Sequence, residues 1–137
     1  MPVRKNKTDP LSSPRGVIFL LVKEKKILMQ LRDAQDKRFP NQWCFPGGRC
    51  DEGEEYIHTV IREIKEEFDV NVREEDCKLL LKRLGARNWV WLCTVPEAKP
   101  VLHEGAAMQW MNLKEIQQIK LGFHQDDLLP FVEEILI

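Results

Sequence analysis

Residues 48–70 read GRCDEGEEYIHTVIREIKEEFDV, and this stretch decides how the rest of the chain is interpreted. The pair Gly47 and Gly48 opens it, an acidic loop follows, and from residue 54 to residue 68 apolar side chains recur at helical spacing. On a wheel of about 100° per residue, Ile57, Val60, Ile61, Ile64 and Phe68 share one arc, an ordinary core-facing stripe. Glu63, Glu66 and Glu67 share another, and His58 falls outside it. On an exposed helix each like-charge pair at i,i+3 or i,i+4 costs about 0.2–0.5 kcal/mol. A solvated face tolerates that, so three glutamates alone decide nothing. A hard divalent cation reverses the sign, because magnesium binds clustered oxygen ligands and shares its remaining positions with water and substrate phosphates.

Outward from this stretch, residues 43–46 are a short extended piece running into the glycines, and residues 33–42 form a polar loop containing Pro40. Residues 27–32 (ILMQLR) alternate as a strand with Ile27, Met29 and Leu31 on one face. Charged residues 23–26 make a turn, and residues 15–22 (RGVIFLLV) read as a buried strand. On the other side, residues 77–84 and 88–95 are strand candidates separated by a glycine-containing turn at 84–87. A loop at 96–104, a strand at 108–112 and a short helix at 114–119 follow. An apolar-rich helix is expected over 126–137, with Pro130 acceptable only in its first turn. Strands and helices mix without regular βαβ alternation, which predicts an α/β domain with a mixed sheet.

A chain of 137 residues, 43% of them hydrophobic, fits one domain with a normal core, expected over residues 15–137. Residues 1–14 are a polar, flexible lead-in; Arg4, Lys5 and Lys7 have no apolar stretch behind them, unlike a signal peptide. No apolar run approaches the roughly 20 residues needed to span a bilayer, so no membrane partner is expected. Twenty-one basic against 22 acidic residues give a net charge of -1, which argues against binding a nucleic-acid polymer. Cys44, Cys50, Cys77 and Cys93 lack C-x-x-C or zinc-finger spacing, and free thiols in a reducing cytoplasm are the expected state.

The full spacing carries more information than the glutamates. Gly48 is followed by five residues and Glu54, then by seven and the run Arg62-Glu63-Ile64-Lys65-Glu66-Glu67. This resembles the signature box of the Nudix hydrolases, G-x5-E-x7-R-E-U-x-E-E-x-G-U with U aliphatic. Gly48, Glu54, Arg62, Glu63, Ile64, Glu66, Glu67 and Val70 match, and only the second glycine differs, being Asp69. Residues 43–48 (WCFPGG) resemble the W-x-x-P-G-G lead-in, and residues 108–116 (MQWMNLKEI) the last sheet strand and the following helix.

The resemblance implies a Nudix fold, a mixed β-sheet sandwiched between helices. It implies hydrolysis of a diphosphate bond in a nucleotide or nucleoside diphosphate derivative, with Mg2+ as cofactor and Mn2+ as a substitute. Glu63, Glu66 and Glu67 match metal-ligand positions, with the Gly48 carbonyl as a further ligand. Glu54 and Arg62 match a pair that holds the loop against the helix, a role suited to a bidentate guanidinium. The general base is a box glutamate or one from a distant loop; Glu104 lies where such an acid falls, and Glu97 is the alternative. Both also read as solvated turn residues. Asp69 falls where an αL residue ends the helix, a conformation that favours glycine; were Asn71 the cap instead, the helix would run further.

Trp89 and Trp91 share a strand face and either stack on a base or fill the core; Phe39 and Trp43 are similar candidates near the glycine loop. The last helix covers its own sheet or supports a homodimer. The expected substrate is a (d)NTP or an oxidised (d)NTP, giving NMP and diphosphate. A nucleotide-sugar hydrolase is the alternative, as is a non-catalytic domain that senses a nucleotide or binds a protein. An isomerase of the same fold would need an active cysteine motif, which Cys44 does not supply.

Overall fold

The computed structural model describes residues 15–83 and 88–137. The expected lead-in and the turn at 84–87 lie outside the described residues. β1 (Gly16–Lys23) and β2 (Lys26–Leu31) form an antiparallel hairpin whose central residues, Glu24 and Lys25, both take positive φ (51° and 62°), as a tight two-residue hairpin turn demands. The register Val22↔Ile27 holds only near the turn, after which the strands splay apart. Two short strands fill the gap. β3 (Trp43–Cys44) pairs antiparallel with β2 through Gln30↔Cys44, and β4 (Gly47–Arg49) with β1 through Ile18↔Gly47. Between them the Phe19 N–H donates to the Pro46 carbonyl at 3.0 Å. The glycine loop is thus threaded into the sheet and held on both sides.

β6 (Asn88–Thr94) runs parallel to β1 along its whole length, β5 (Cys77–Arg83) pairs antiparallel with β6, and β7 (Ala107–Met111) with β2. The result among the described residues is a mixed sheet of seven strands. β1 is buried on both faces, which is why it reads as a continuous apolar run. Val17, Phe19 and Leu21 pack with Val60, Ile64 and Phe68 of α1 (Tyr56–Phe68). Ile18 and Leu20 face the other way, towards Ile116 of α2 (Leu113–Gln117) and Val132 and Leu136 of α3 (Leu129–Leu136). The mixed sheet between helices is therefore present as expected. Burying each such side chain contributes about 1.5–3 kcal/mol. No helix among the described residues is long and apolar enough to cross a membrane.

α1 ends where the sequence placed its end. Asp69 caps it in the left-handed region (φ 56°, ψ 38°), its N–H donating to the Lys65 carbonyl. The Lys65 ammonium meets the Asp69 carboxylate at 2.6 Å, an i,i+4 pair that offsets part of the strain a glycine would avoid. Asn71 plays no part in the cap. The C-terminal helix differs from expectation: α3 starts at Leu129, not at residue 126, and Gly122–Leu128 is a 3-10 segment. Phe123 and His124 both take positive φ (56° and 55°), which no α-helix accommodates, and Pro130 fits only in the first turn that follows. α3 covers its own sheet.

Candidate active site

The acidic loop is organised by one side chain, Arg62. Its Nε and one terminal nitrogen donate to the two Glu54 oxygens, each at 2.9 Å, and the same nitrogen reaches the Arg49 carbonyl at 3.0 Å. Glu54 also accepts from the Thr59 hydroxyl at 2.7 Å and the Asp51 N–H at 2.9 Å. With four donors on one carboxylate, led by Arg62, the Glu54 pKa falls to about 2. This network replaces an ordinary N-cap, since Glu55 at the helix start makes no side-chain capping bond. The second terminal nitrogen of Arg62 holds Glu63 at 3.0 Å and Glu66 at 3.2 Å.

Glu63 and Glu67 lie one turn apart on α1, with Glu63 set directly against Gly48: a Cβ added at Gly48 would collide with the Glu63 carboxylate. Only glycine permits this approach of helix to loop. Glu67 is 2% exposed. Burial, then the adjacent Glu63 and the charge of Glu104, push its carboxyl well above the ordinary range. The last carbonyls of α1 are met by the loop that follows β6, with Val101 N–H donating to Phe68 and His103 N–H to Glu67, both at 2.8 Å. That anchoring brings Glu104 to the same place, where partial burial and then Glu63 and Glu66 raise its carboxyl. Gly48, Glu54, Arg62, Glu63, Glu66, Glu67 and Glu104 therefore form one group. Glu97 instead lines a cleft with Asp69, Asn71, Arg73 and Lys99.

The donors are gathered without being closed around a point. Among the described residues no three His, Cys, Asp or Glu side chains converge as a ready-made metal cage. Arg62 is the physical reason: it draws Glu63 and Glu66 to itself, while Glu67 is held by Gln30 at 3.3 Å. The chemistry of the set nevertheless fits a hard dication. It offers several carboxylates, one of them buried beside another, and a glycine whose missing side chain lets the Glu63 carboxylate lie against the loop backbone.

The aromatic candidates separate. Phe39, at positive φ (50°), packs on Phe123 with centroids 4.8 Å apart and on His124 at 5.5 Å, while the Arg32 guanidinium sits 4.6 Å from the Phe123 ring and Arg38 5.3 Å from it. Two guanidiniums and two phenyl rings thus meet beyond the end of β2. Trp43 is half-buried and bridges to Leu121. Trp89 is already stacked: Tyr56 lies flat on it at 4.0 Å, and the Lys82 ammonium stands 4.5 Å from the ring centre. Trp91 packs in the cluster under α1, with its indole nitrogen buried and unpartnered. Sequence reasoning missed Gln30, Arg32, Arg38 and Phe123. Gln30 left a signal, a carboxamide inside an apolar strand; the others left none.

The cysteines take no part in this group. All four are free; Cys77 and Cys93 face each other across β5 and β6 with sulfurs 3.0 Å apart. Burial pushes the Cys44 thiol up to about 12, leaving it a poor nucleophile.

A glycine loop locked into a splayed hairpin and a helix presenting glutamates to it define a protein class, and the chain belongs to it: the NUDIX domain family model matches residues 12–132. It is a Nudix hydrolase. Among its relatives, the chain is 28% identical over 109 residues to the 8-oxo-dGTP diphosphatase of Escherichia coli K12, covering 77% of this chain and 79% of that one. It is 40% identical over 77 residues to the peroxisomal coenzyme A diphosphatase ndx-8 of Caenorhabditis elegans, where the match covers 52% of this chain and 32% of the longer relative. Solved structures share the fold. The NUDIX domain of Shewanella oneidensis NrtR, complexed with ADP ribose, superposes with a TM-score of 0.73 at 20% identity over the full length of both chains. MutT from Aliivibrio salmonicida and Vibrio cholerae gives 0.72 at 18% identity, covering 87% of this chain and 95% of that one.

Proposed function

We propose that this Nudix hydrolase cleaves a diphosphate bond in a nucleoside triphosphate, a (d)NTP or oxidised (d)NTP, releasing NMP and diphosphate in the cytoplasm with Mg2+ as cofactor. The observation that carries the reaction is the buried Glu67 beside Glu63 against Gly48, a pair of carboxyl groups of which Arg62 meets Glu63 while burial holds Glu67 towards its protonated form. The substrate class draws support from the likeness to the 8-oxo-dGTP diphosphatase, which spans most of both chains.

Glu63, Glu66, Glu67 and the Gly48 carbonyl would hold the ion, with Mn2+ an acceptable substitute. When bound, such an ion offsets phosphate charge and lowers the pKa of water. Arg62 and Glu54 keep the loop and helix in register, so that Gly48 and Glu63 stay in contact. Glu104, at the rim, takes the proton from the attacking water; partial burial, then Glu63 and Glu66, raise its carboxyl and make it a stronger base than a free carboxylate. Phe39 and Phe123 offer an apolar surface for the base, and Arg32 and Arg38 supply positive charge for the phosphates. Trp43 lies near this surface; Trp89 and Trp91 serve the packing of α1.

The test is a panel of dNTPs, 8-oxo-dGTP, ADP-ribose, a nucleotide sugar and coenzyme A, with Mg2+ or Mn2+, followed by product identification. NMP and diphosphate from a triphosphate are expected. No turnover of any substrate above an E66Q control would end the catalytic reading; preference for ADP-ribose or a nucleotide sugar would move it to nucleoside diphosphate derivatives.

A further inference from the structure

A carboxamide carries two donor hydrogens and an acceptor oxygen, and burying it among apolar side chains is unfavourable unless partners meet it. Gln30 is the penultimate residue of β2, between Met29 and Leu31, and it is 9% exposed. By strand alternation it shares the α1-facing side with Leu28. Its Nε2 donates to Glu67 Oε1 at 3.3 Å and to the Glu104 carbonyl at 2.9 Å. The Glu104 carbonyl can only accept, so the carboxamide must present its NH2 group on this side, and its two hydrogens can serve both oxygens.

The surrounding backbone is shaped for this contact. Gly105 has φ of +89°, and a Cβ there would come within 3.1 Å of Gln30 Cγ and 2.9 Å of the Leu31 carbonyl. The Ala106 N–H donates to that same carbonyl at 2.9 Å, and the His103 N–H to the Glu67 carbonyl at 2.8 Å. Glu104 therefore sits between one bond to α1 and one to β2. Gln30 is the side chain that ties the two anchors together, linking residues far apart in the chain.

We propose that Gln30 is a positioning residue for hydrolysis: by bonding the Glu67 carboxylate and the Glu104 carbonyl at once, it sets the loop acid at a fixed distance from the glutamates of α1. This rests on the reading in which Glu104 acts in the reaction. Gln30 reaches the chemistry only through those two residues.

The test combines a double-mutant cycle with hydrogen exchange. Gln30→Met keeps the volume and removes both donors; it is expected to lower kcat about 10- to 30-fold with KM within about threefold, in line with other groups that orient a ligand shell. In an E104Q background the same change should cost less than about threefold, because its target is already gone. In the metal-free, substrate-free protein, the amides of residues 104–106 should exchange about tenfold faster in Q30M than in the wild type. Gln30→Asn, which keeps the carboxamide but withdraws it by one methylene, takes the place of Q30M if that variant does not fold. Unchanged exchange at 104–106, or an equal loss of kcat in both backgrounds, overturns the assignment. Full turnover in E104Q instead removes Glu104 from the reaction, and that failure is told apart because the exchange measurement involves neither metal nor turnover.

Discussion

Glu54 and Glu67 belong to the same box and carry the same functional group, yet the fold treats them in opposite ways. Glu54 meets four donors, two of them from Arg62, and its pKa drops to about 2. Glu67 is buried next to Glu63, receives one long hydrogen bond from Gln30, and its carboxyl is driven upward. The brace at the start of α1 is complete in itself. On the carboxylate face Arg62 reaches Glu63 and Glu66 but leaves the buried Glu67 to Gln30. A region satisfied by its own partners holds a shape, and a region left unsatisfied is where a ligand gains most.

Removing the incomplete side should have the largest effect on chemistry. Glu67→Gln is expected to lower kcat by about 10³-fold, as loss of a charge-organising group in a hydrolytic site does. Unfolding of the metal-free variant by denaturant should show it no less stable than wild type, since a neutral amide replaces a carboxyl that burial disfavours in its charged form. A metal-free E67Q that unfolds more readily would sink the contrast.

Breaking the complete side should act first on architecture. Arg62→Met strands Glu54, Glu63 and Glu66 without their common donor, and a loss of about 2 kcal/mol is expected in urea titration. Turnover should fall with it, by about 10- to 100-fold, because Gly48 and Glu63 lose their register. An R62M protein of wild-type stability would show the network to be ornamental.

The two acids also predict opposite pH dependence in the metal-free protein. The Glu54 pKa is lower folded than unfolded, so its stabilisation is full above about 4.5 and is lost as pH falls towards about 2. That of Glu67 is higher folded than unfolded, so the native state keeps a proton the unfolded chain releases, and stability declines as pH rises above about 4.5. Melting curves across pH should lose the acid-side fall in E54Q and the neutral-to-alkaline decline in E67Q. If neither variant changes its own limb, the opposed tuning is wrong.

The smallest effect belongs to the helix end. Asp69→Gly relieves the left-handed strain but gives up the Lys65 pair, so the melting temperature should move by no more than a few degrees, with activity intact. A large shift in either direction would show the cap to be part of the site.

Much of this was legible in the chain because it is local. The α1 period, the charged turn at 23–26, the αL position of Asp69 and the gathering of Glu63, Glu66 and Glu67 each depend on residues within a few positions of one another. The start of α3 was misjudged because left-handed backbone at Phe123 and His124 leaves no mark in residue type. Trp89 read as core, with a base-stacking surface as the alternative, and only the fold shows Tyr56, from another element, lying on it. Gln30 drew no reading of its own beside Ile27, Met29 and Leu31, because its partner Glu104 arrives from 74 residues away.

By itself the sequence determined which groups exist and how short-range geometry spaces them: a helix with an apolar stripe, a carboxylate stripe and a glycine loop ahead of it. Only the tertiary structure decided which carboxylate is pinned by a guanidinium and which is buried without one, that Glu104 joins the group while Glu97 does not, and that Phe39 meets Phe123. Helical periodicity is fixed by bonds along the chain. Burial and ion pairing are fixed by what the splayed hairpin and the returning loops bring from elsewhere, and no local pattern encodes that.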